Sequence, residues 1–101
     1  MAQYDVHPRT SPAVPYIMDV QCNLLQHIAT RVAIPLRPYE QYKSEEFPRL
    51  KPVVLVNGKK YILMTTEISV VKTSELSPAT ANLADQRTII TQAIDFLVQG
   101  F

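Results

Sequence analysis

The sequence predicts a mainly β domain closed by a C-terminal α-helix, on three observations. All 8 prolines lie at or before Pro78. A residue that lacks an N–H and fixes φ cuts that stretch into short pieces. The pieces are rich in Val, Ile and Tyr, as strands are. Beyond Leu83 the apolar residues recur at three- and four-residue spacing, the period of a helix.

In chain order, the predicted strands are Gln3 to His7, Tyr16 to Cys22, Arg31 to Leu36, Val53 to Val56, Tyr61 to Thr65 and Ile68 to Lys72. Pro8, Pro12 and Pro15 mark the first connection, and Pro35, Pro38, Pro48 and Pro52 punctuate the middle. The clearest local signal is Asn57-Gly58 between Val53-Val54-Leu55-Val56 and Tyr61-Ile62-Leu63. Asn-Gly supplies the two positive φ angles of a type I′ turn, so a hairpin is expected there. Pro38 to Glu46 is polar and reads as a loop or one short helix. In the last segment Ile90, Ala93, Ile94 and Leu97 form one helical stripe, expected to face the core, with Thr88, Gln92, Asp95 and Gln99 on a polar face. Asn82 and Asp85 both suit the N-cap.

Length and composition bound the function. The 101 residues fit a single domain over 1–101. Apolar residues make up 47% and charged residues 19%, globular proportions. Ten Lys+Arg against nine Asp+Glu leave a formal charge of +1, which argues against direct nucleic-acid binding, since that draws its affinity from many basic contacts to phosphate. Gly58 and Gly100 are the only glycines, too few for a dinucleotide fingerprint or a Walker loop. One cysteine, Cys22, makes neither an internal disulfide nor a thiolate zinc cage. No apolar run approaches the roughly 20 residues of a membrane span. Met1 to Thr10 has neither the basic start nor the apolar core of a secretory signal. A cytoplasmic domain with no cofactor and no membrane contact is expected.

No catalytic motif is visible in the linear sequence. His7 falls in an expected edge strand and His27 in a polar connection, and both read as surface residues. Glu45-Glu46 beside one remote histidine is not a metal-ligand pattern. Cys22, ending an apolar strand, reads as a small buried hydrophobe rather than a reactive thiol. Two apolar features stand out instead. Leu24-Leu25 lies in an otherwise polar segment, and adjacent residues of an extended chain point opposite ways, so at least one leucine is expected at the surface. Val98 and Phe101 make a second apolar spot at the chain end. Each spot either plugs the domain's own core or meets a partner, and a chain this short gains useful core by self-association.

Tyr16-Ile17-Met18-Asp19-Val20-Gln21, Arg31-Val32-Ala33-Ile34-Pro35-Leu36, Pro52-Val53-Val54, Met64-Thr65-Thr66 and a helix ending in Gly100 plus a large apolar residue occur in this order. Each motif is unspecific, but the ordered set resembles the CcdB toxins of bacterial toxin–antitoxin pairs over nearly the whole chain. The resemblance implies a small SH3-like antiparallel β-barrel of the CcdB/Kid type with a C-terminal helix, assembled as a two-fold homodimer. It implies a non-enzymatic inhibitor that binds the A subunit of DNA gyrase and traps the cleaved DNA–gyrase complex, a type II topoisomerase poison of the kind associated with plasmid maintenance. It also implies a CcdA-like antitoxin whose disordered C-terminal tail wraps and neutralises the dimer.

Carried over by position, the family's aliphatic pair falls on Leu24-Leu25 and its gyrase-facing helix end on Asp95, Gln99, Gly100 and Phe101, with Val98 beside them. Asp95 stands where an Asn is familiar, exchanging an amide for an acceptor-only anion. Gln99 stands where the family's archetype has a Trp that stacks on a gyrase arginine. Losing an aromatic anchor of that kind costs about 2 kcal/mol, roughly 30-fold in affinity. Two other readings compete. One is a MazF/Kid-like endoribonuclease on the same barrel, for which Arg31, Arg37 and Asp19 could be pressed into service. The other is a diverged member that binds only its antitoxin.

Overall fold

The computed structural model describes residues 2–25 and 27–100. Seven strands, β1 (Asp5–Pro8), β2 (Tyr16–Asp19), β3 (Thr30–Pro38), β4 (Val53–Val56), β5 (Lys59–Leu63), β6 (Ser69–Lys72) and β7 (Ala81–Asn82), form one antiparallel sheet. A short helix α1 (Tyr39–Tyr42) follows β3, and the long helix α2 (Arg87–Gln99) ends the chain. The spatial order is β4-β5-β3-β2-β1-β7, and β6 joins on β3. The expected fold class, mainly β with a C-terminal helix, is the one observed.

Strand β3 organises the sheet. Its first half, Thr30 to Ala33, pairs with β6, and its last residues, Leu36 to Pro38, pair with β5. The change of neighbour falls at Pro35, which offers no N–H and whose carbonyl accepts the Met64 N–H at 3.0 Å. Alternation breaks at the same place. Arg31 and Ala33 are buried in one phase, Ile34 and Leu36 in the other. The sheet bends there into a half-barrel around Val6, Met18, Ile34, Leu36, Val54 and Leu63, and Leu83, Ile90 and Ala93 close it from the helical side.

The hairpin forms as the Asn-Gly signal requires. Asn57 and Gly58 have φ of 51° and 81°, and Val56 pairs with Lys59. At the outer edge of the sheet, Leu63 N–H bonds to Pro52 C=O at 2.9 Å. The alternation of an antiparallel ladder then points the polar groups of Val53 and Leu55 away from β5. Gln86 meets the second of these: its Oε1 accepts the Leu55 N–H at 2.9 Å and its Nε2 donates to the Leu55 C=O at 2.8 Å.

Several expectations are corrected. Strand β1 starts at Asp5 rather than Gln3, because Tyr4 adopts φ 71°, held by its N–H on Asp19 C=O and by Leu83 N–H on its own carbonyl. Strand β2 ends at Asp19 rather than Cys22, and β5 runs Lys59–Leu63 rather than Tyr61 to Thr65, with Thr65 opening a 3-10 turn. Pro38 to Glu46 holds the short helix, followed by a 3-10 turn, Lys43–Glu45. The two-residue β7 carries no sequence signal strong enough to read.

Helix α2 starts at Arg87 after a 3-10 turn, Ala84–Gln86. Neither candidate caps it. Asn82 Oδ1 accepts the Ala84 N–H and so caps the 3-10 turn, while Gln86, at the N-cap, has spent its side chain on β4. The predicted stripe holds for Ile90 and Ala93, which are buried, and for the half-buried Ile94, but Leu97 is 37% exposed. The helix outruns the sheet that its first turns cover. Thr88, Gln92, Asp95 and Gln99 are all exposed, as the polar face predicts.

His7 is not on the surface. Strand β1 lies between β2 and β7, and the His7 ring is buried with Nδ1 2.8 Å from Ser77 C=O. Cys22 is exposed, the reverse of the expected burial, because β2 stops three residues before it. His27 is exposed, as expected.

Candidate partner-binding surface

The Leu24-Leu25 segment is not extended. Asn23–Leu25 is a single 3-10 turn, closed by Leu25 N–H on Cys22 C=O at 2.9 Å, with Ile28 N–H on Leu25 C=O at 3.1 Å following it. Such a turn presents both leucines outward: Leu24 is 83% exposed and Leu25 44%. The turn stands on a buried ion pair. Arg31 Nε and Nη2 donate to the two oxygens of Asp19 at 2.7 and 3.1 Å, and both side chains are wholly buried. Asp19 Oδ1, which takes the Nη2 bond, also accepts the Gln21 N–H at 2.9 Å and so ties the pair to the connection. Arg31 Nη1 is buried without a partner among the described residues. A buried pair of this kind is costly to break, because either ion alone lies uncompensated in the interior.

At the other apolar spot, Val98 is 73% exposed on the last turn of α2. Gly100 ends the helix at φ 79°, with its N–H on Phe96 C=O, a left-handed cap that glycine accepts without strain. No atom lies within 4 Å of where a Cβ on Gly100 would stand. Phe101 lies outside the described residues. Asp95 faces a groove of about 490 Å³, where it is joined by Arg49, Ile89 and Gln92. Arg49 lies over the Phe96 ring at 4.6 Å, and Phe47 packs on the same ring at 6.3 Å between centroids. The groove and the exposed Phe47 and Val70 have no counterpart in the sequence reading; alternation within short strands does not tell which face a barrel leaves open.

The structure brings Asp95, Val98, Gln99 and Gly100 together on one helix end, and Leu24 with Leu25 on one turn. Among the described residues it makes no substantial contact between the turn and the helix within one chain; α2 packs on the core through Ile90 and Ala93.

The charged candidates for RNA cleavage are differently employed. Asp19 and Arg31 are consumed in the buried pair. Arg37 makes a two-pronged contact with Glu67 at 3.2 and 3.3 Å and lies over the Tyr42 ring at 5.0 Å. The Glu67 carboxylate raises the Arg37 pKa above its usual value, so the guanidinium stays charged. Among the described residues, no three His, Cys, Asp or Glu side chains converge as metal ligands. No helix among them is long and apolar enough to cross a membrane.

The order of the strands, the terminal helix with its glycine cap and the exposed aliphatic turn meet in one comparison: the family model described as CcdB protein matches residues 3–100. The chain belongs to the CcdB family. No individual curated protein matches it significantly. CcdB proteins are the toxin components of toxin–antitoxin pairs, and membership places this chain among them with an antitoxin as its general class of partner. Residues 3–100 take in the turn and all of α2.

Proposed function

We propose that this CcdB-family chain poisons DNA gyrase by binding the gyrase A subunit, as a homodimer, through Leu24, Leu25, Asp95, Val98, Gln99, Gly100 and Phe101. The observation that carries the reading is the exposure of Leu24 and Val98, two large aliphatic side chains left in water at the positions that correspond to the family's contact surface. An apolar residue gains about 1.5–3 kcal/mol when such a surface is covered. Two-fold assembly would bring four such spots into one molecule, since each protomer supplies the same patch. Inhibition then rests on surface complementarity and asks for no catalytic group, no cofactor and no direct contact with nucleic acid.

Gln99 distinguishes this chain from the archetype. Without a Trp at this position, docking relies more on the aliphatic residues and on Phe101. Addition of the protein to purified gyrase with supercoiled plasmid is expected to accumulate double-strand breaks, and a CcdA-like antitoxin with a disordered C-terminal tail is expected to reverse this. Absence of gyrase-dependent breakage, with the dimer formed and the antitoxin bound, would leave the antitoxin-only reading. Converting Gln99 to Trp is expected to strengthen binding if the family's docking mode operates here.

The competing ribonuclease reading would need Asp19, Arg31 or Arg37 to reach a phosphate. The burial of the first two in a shared ion pair and the pairing of Arg37 with Glu67 count against it.

A further inference from the structure

In the β2–β3 ladder Asp19 lies opposite Ala33, so Val20 lies opposite Val32. Val20 N–H does bond to Val32 C=O, at 2.9 Å. A regular antiparallel pair would return the second bond, from Val32 N–H to Val20 C=O. Here both groups are taken by glutamine side chains. Gln21 Oε1 accepts the Val32 N–H at 3.1 Å, and Gln3 Nε2 donates to the Val20 C=O at 3.2 Å.

Each glutamine has a second hand on the exposed turn. Gln21 Nε2 donates to Leu25 C=O at 3.0 Å, and the Gln3 backbone N–H donates to Asn23 Oδ1 at 2.8 Å. Gln21 also gives its own N–H to Asp19, and its carbonyl faces Arg31 Nη2 at 3.4 Å. All four polar functions of Gln21 are thereby engaged, two on the buried ion pair and two between the sheet and the turn. A planar amide is the group that accepts and donates at once across such a gap. A carboxylate keeps the contact with Val32 N–H and repels the Leu25 carbonyl.

We propose that Gln21, assisted by Gln3, is a positioning residue that splits the Val20–Val32 pair open and holds the Leu24-Leu25 turn in its presenting conformation. The proposal deepens the gyrase reading and rests on it for its binding consequence, though not for the clasp itself. With the clasp removed, the Val20 carbonyl and Val32 N–H are free to close the ladder, and the turn loses its side-chain anchor at Leu25, keeping only the Gln3 backbone N–H on Asn23 Oδ1.

The test uses the full chain with Gln21→Glu, Gln3→Ala and Leu24→Ala, singly and with Gln21→Glu and Leu24→Ala combined. Amide hydrogen exchange by NMR reads the turn at Leu25 and Ile28, and calorimetric titration reads affinity for the purified A subunit of gyrase. Gln21→Glu is expected to speed exchange at both amides and to weaken gyrase binding about fivefold, the worth of one hydrogen bond. The affinity loss should vanish in the Leu24→Ala background, because a residue that acts through the turn has nothing left to position. Gln3→Ala should give a smaller change of the same sign. Unchanged exchange in Gln21→Glu, or an equal affinity loss with and without Leu24, overturns the clasp. If the unaltered protein or Leu24→Ala shows that the leucines do not serve gyrase, the functional reading falls and the exchange result alone decides the clasp. Should Gln21→Glu fail to fold, Gln21→Asn, one methylene too short to bridge both groups, and Gln3→Ala carry the same measurements.

Discussion

Two turns in this molecule are built around an asparagine, and they are held by opposite means. Asn57-Gly58 needs nothing beyond itself: both residues sit at positive φ, and the strands on either side pair directly. Asn23–Leu25 has no such local licence. It is gripped by Gln3 from twenty residues earlier in the chain, by Gln21, and beneath them by the buried Asp19–Arg31 pair. The first turn joins two strands as tightly as possible. The second lifts two leucines into water, an arrangement that favourable local geometry alone would not sustain.

The contrast between the turns breaks most sharply at Asp19. Asp19→Ala strands Arg31 as an unpaired buried cation and should cost about 3–5 kcal/mol in urea denaturation. A loss below about 1 kcal/mol would mean that the second turn does not stand on the ion pair. Gly58→Ala tests the local turn. Forcing an alanine into the left-handed region should cost about 1–2 kcal/mol, with amide exchange at Leu25 and Ile28 unchanged. Leu24→Ala should alter stability by less than about 0.5 kcal/mol, as for an exposed side chain, while lowering affinity for the gyrase A subunit. A large stability loss would place Leu24 in the core.

The smallest effect concerns the hairpin at high pH. Burial, with the Tyr16 phenol beside it, raises the Tyr61 pKa above its usual 10.0. The unfolded chain therefore ionises this phenol first. The corresponding stability is complete below about pH 10 and lost as pH rises through the raised value. Tyr61→Phe should flatten that part of the alkaline limb in thermal melts, and an unchanged limb would assign it to other tyrosines.

The same contrast explains what is legible in the sequence. Val53 to Val56, the Asn57-Gly58 turn and the buried Ile90 and Ala93 are set by neighbours in the chain, so periodicity and turn chemistry reveal them. The polar face through Asp95 and Gln99 follows from the same periodicity. His7 and Cys22 escape such reading because the burial of the one depends on β7 pairing beside β1, and the exposure of the other on where β2 stops, both decided at long range. Leu97 escapes it because helical phase says which way a residue points and not how far the sheet beneath it extends. The exposure of Leu24-Leu25 is readable; the two glutamines that hold the turn are not, since neither has a local signature.

Gln86 has a consequence of a different kind. A strand on the boundary of a sheet recruits further chains when its outward N–H and C=O groups are available at every second residue. Along β4 that series is interrupted at both ends: Leu55 is already answered by the Gln86 amide, and Lys51, next in the same phase, exchanges both its N–H and its C=O with Phe47. Only Val53 is left to template a newcomer, too short a stretch to seed fibrous polymerisation. At this boundary the protein thus limits edge-to-edge growth with one side chain and one short bridge standing in for a missing strand, and keeps its exposed aliphatic residues for recognition.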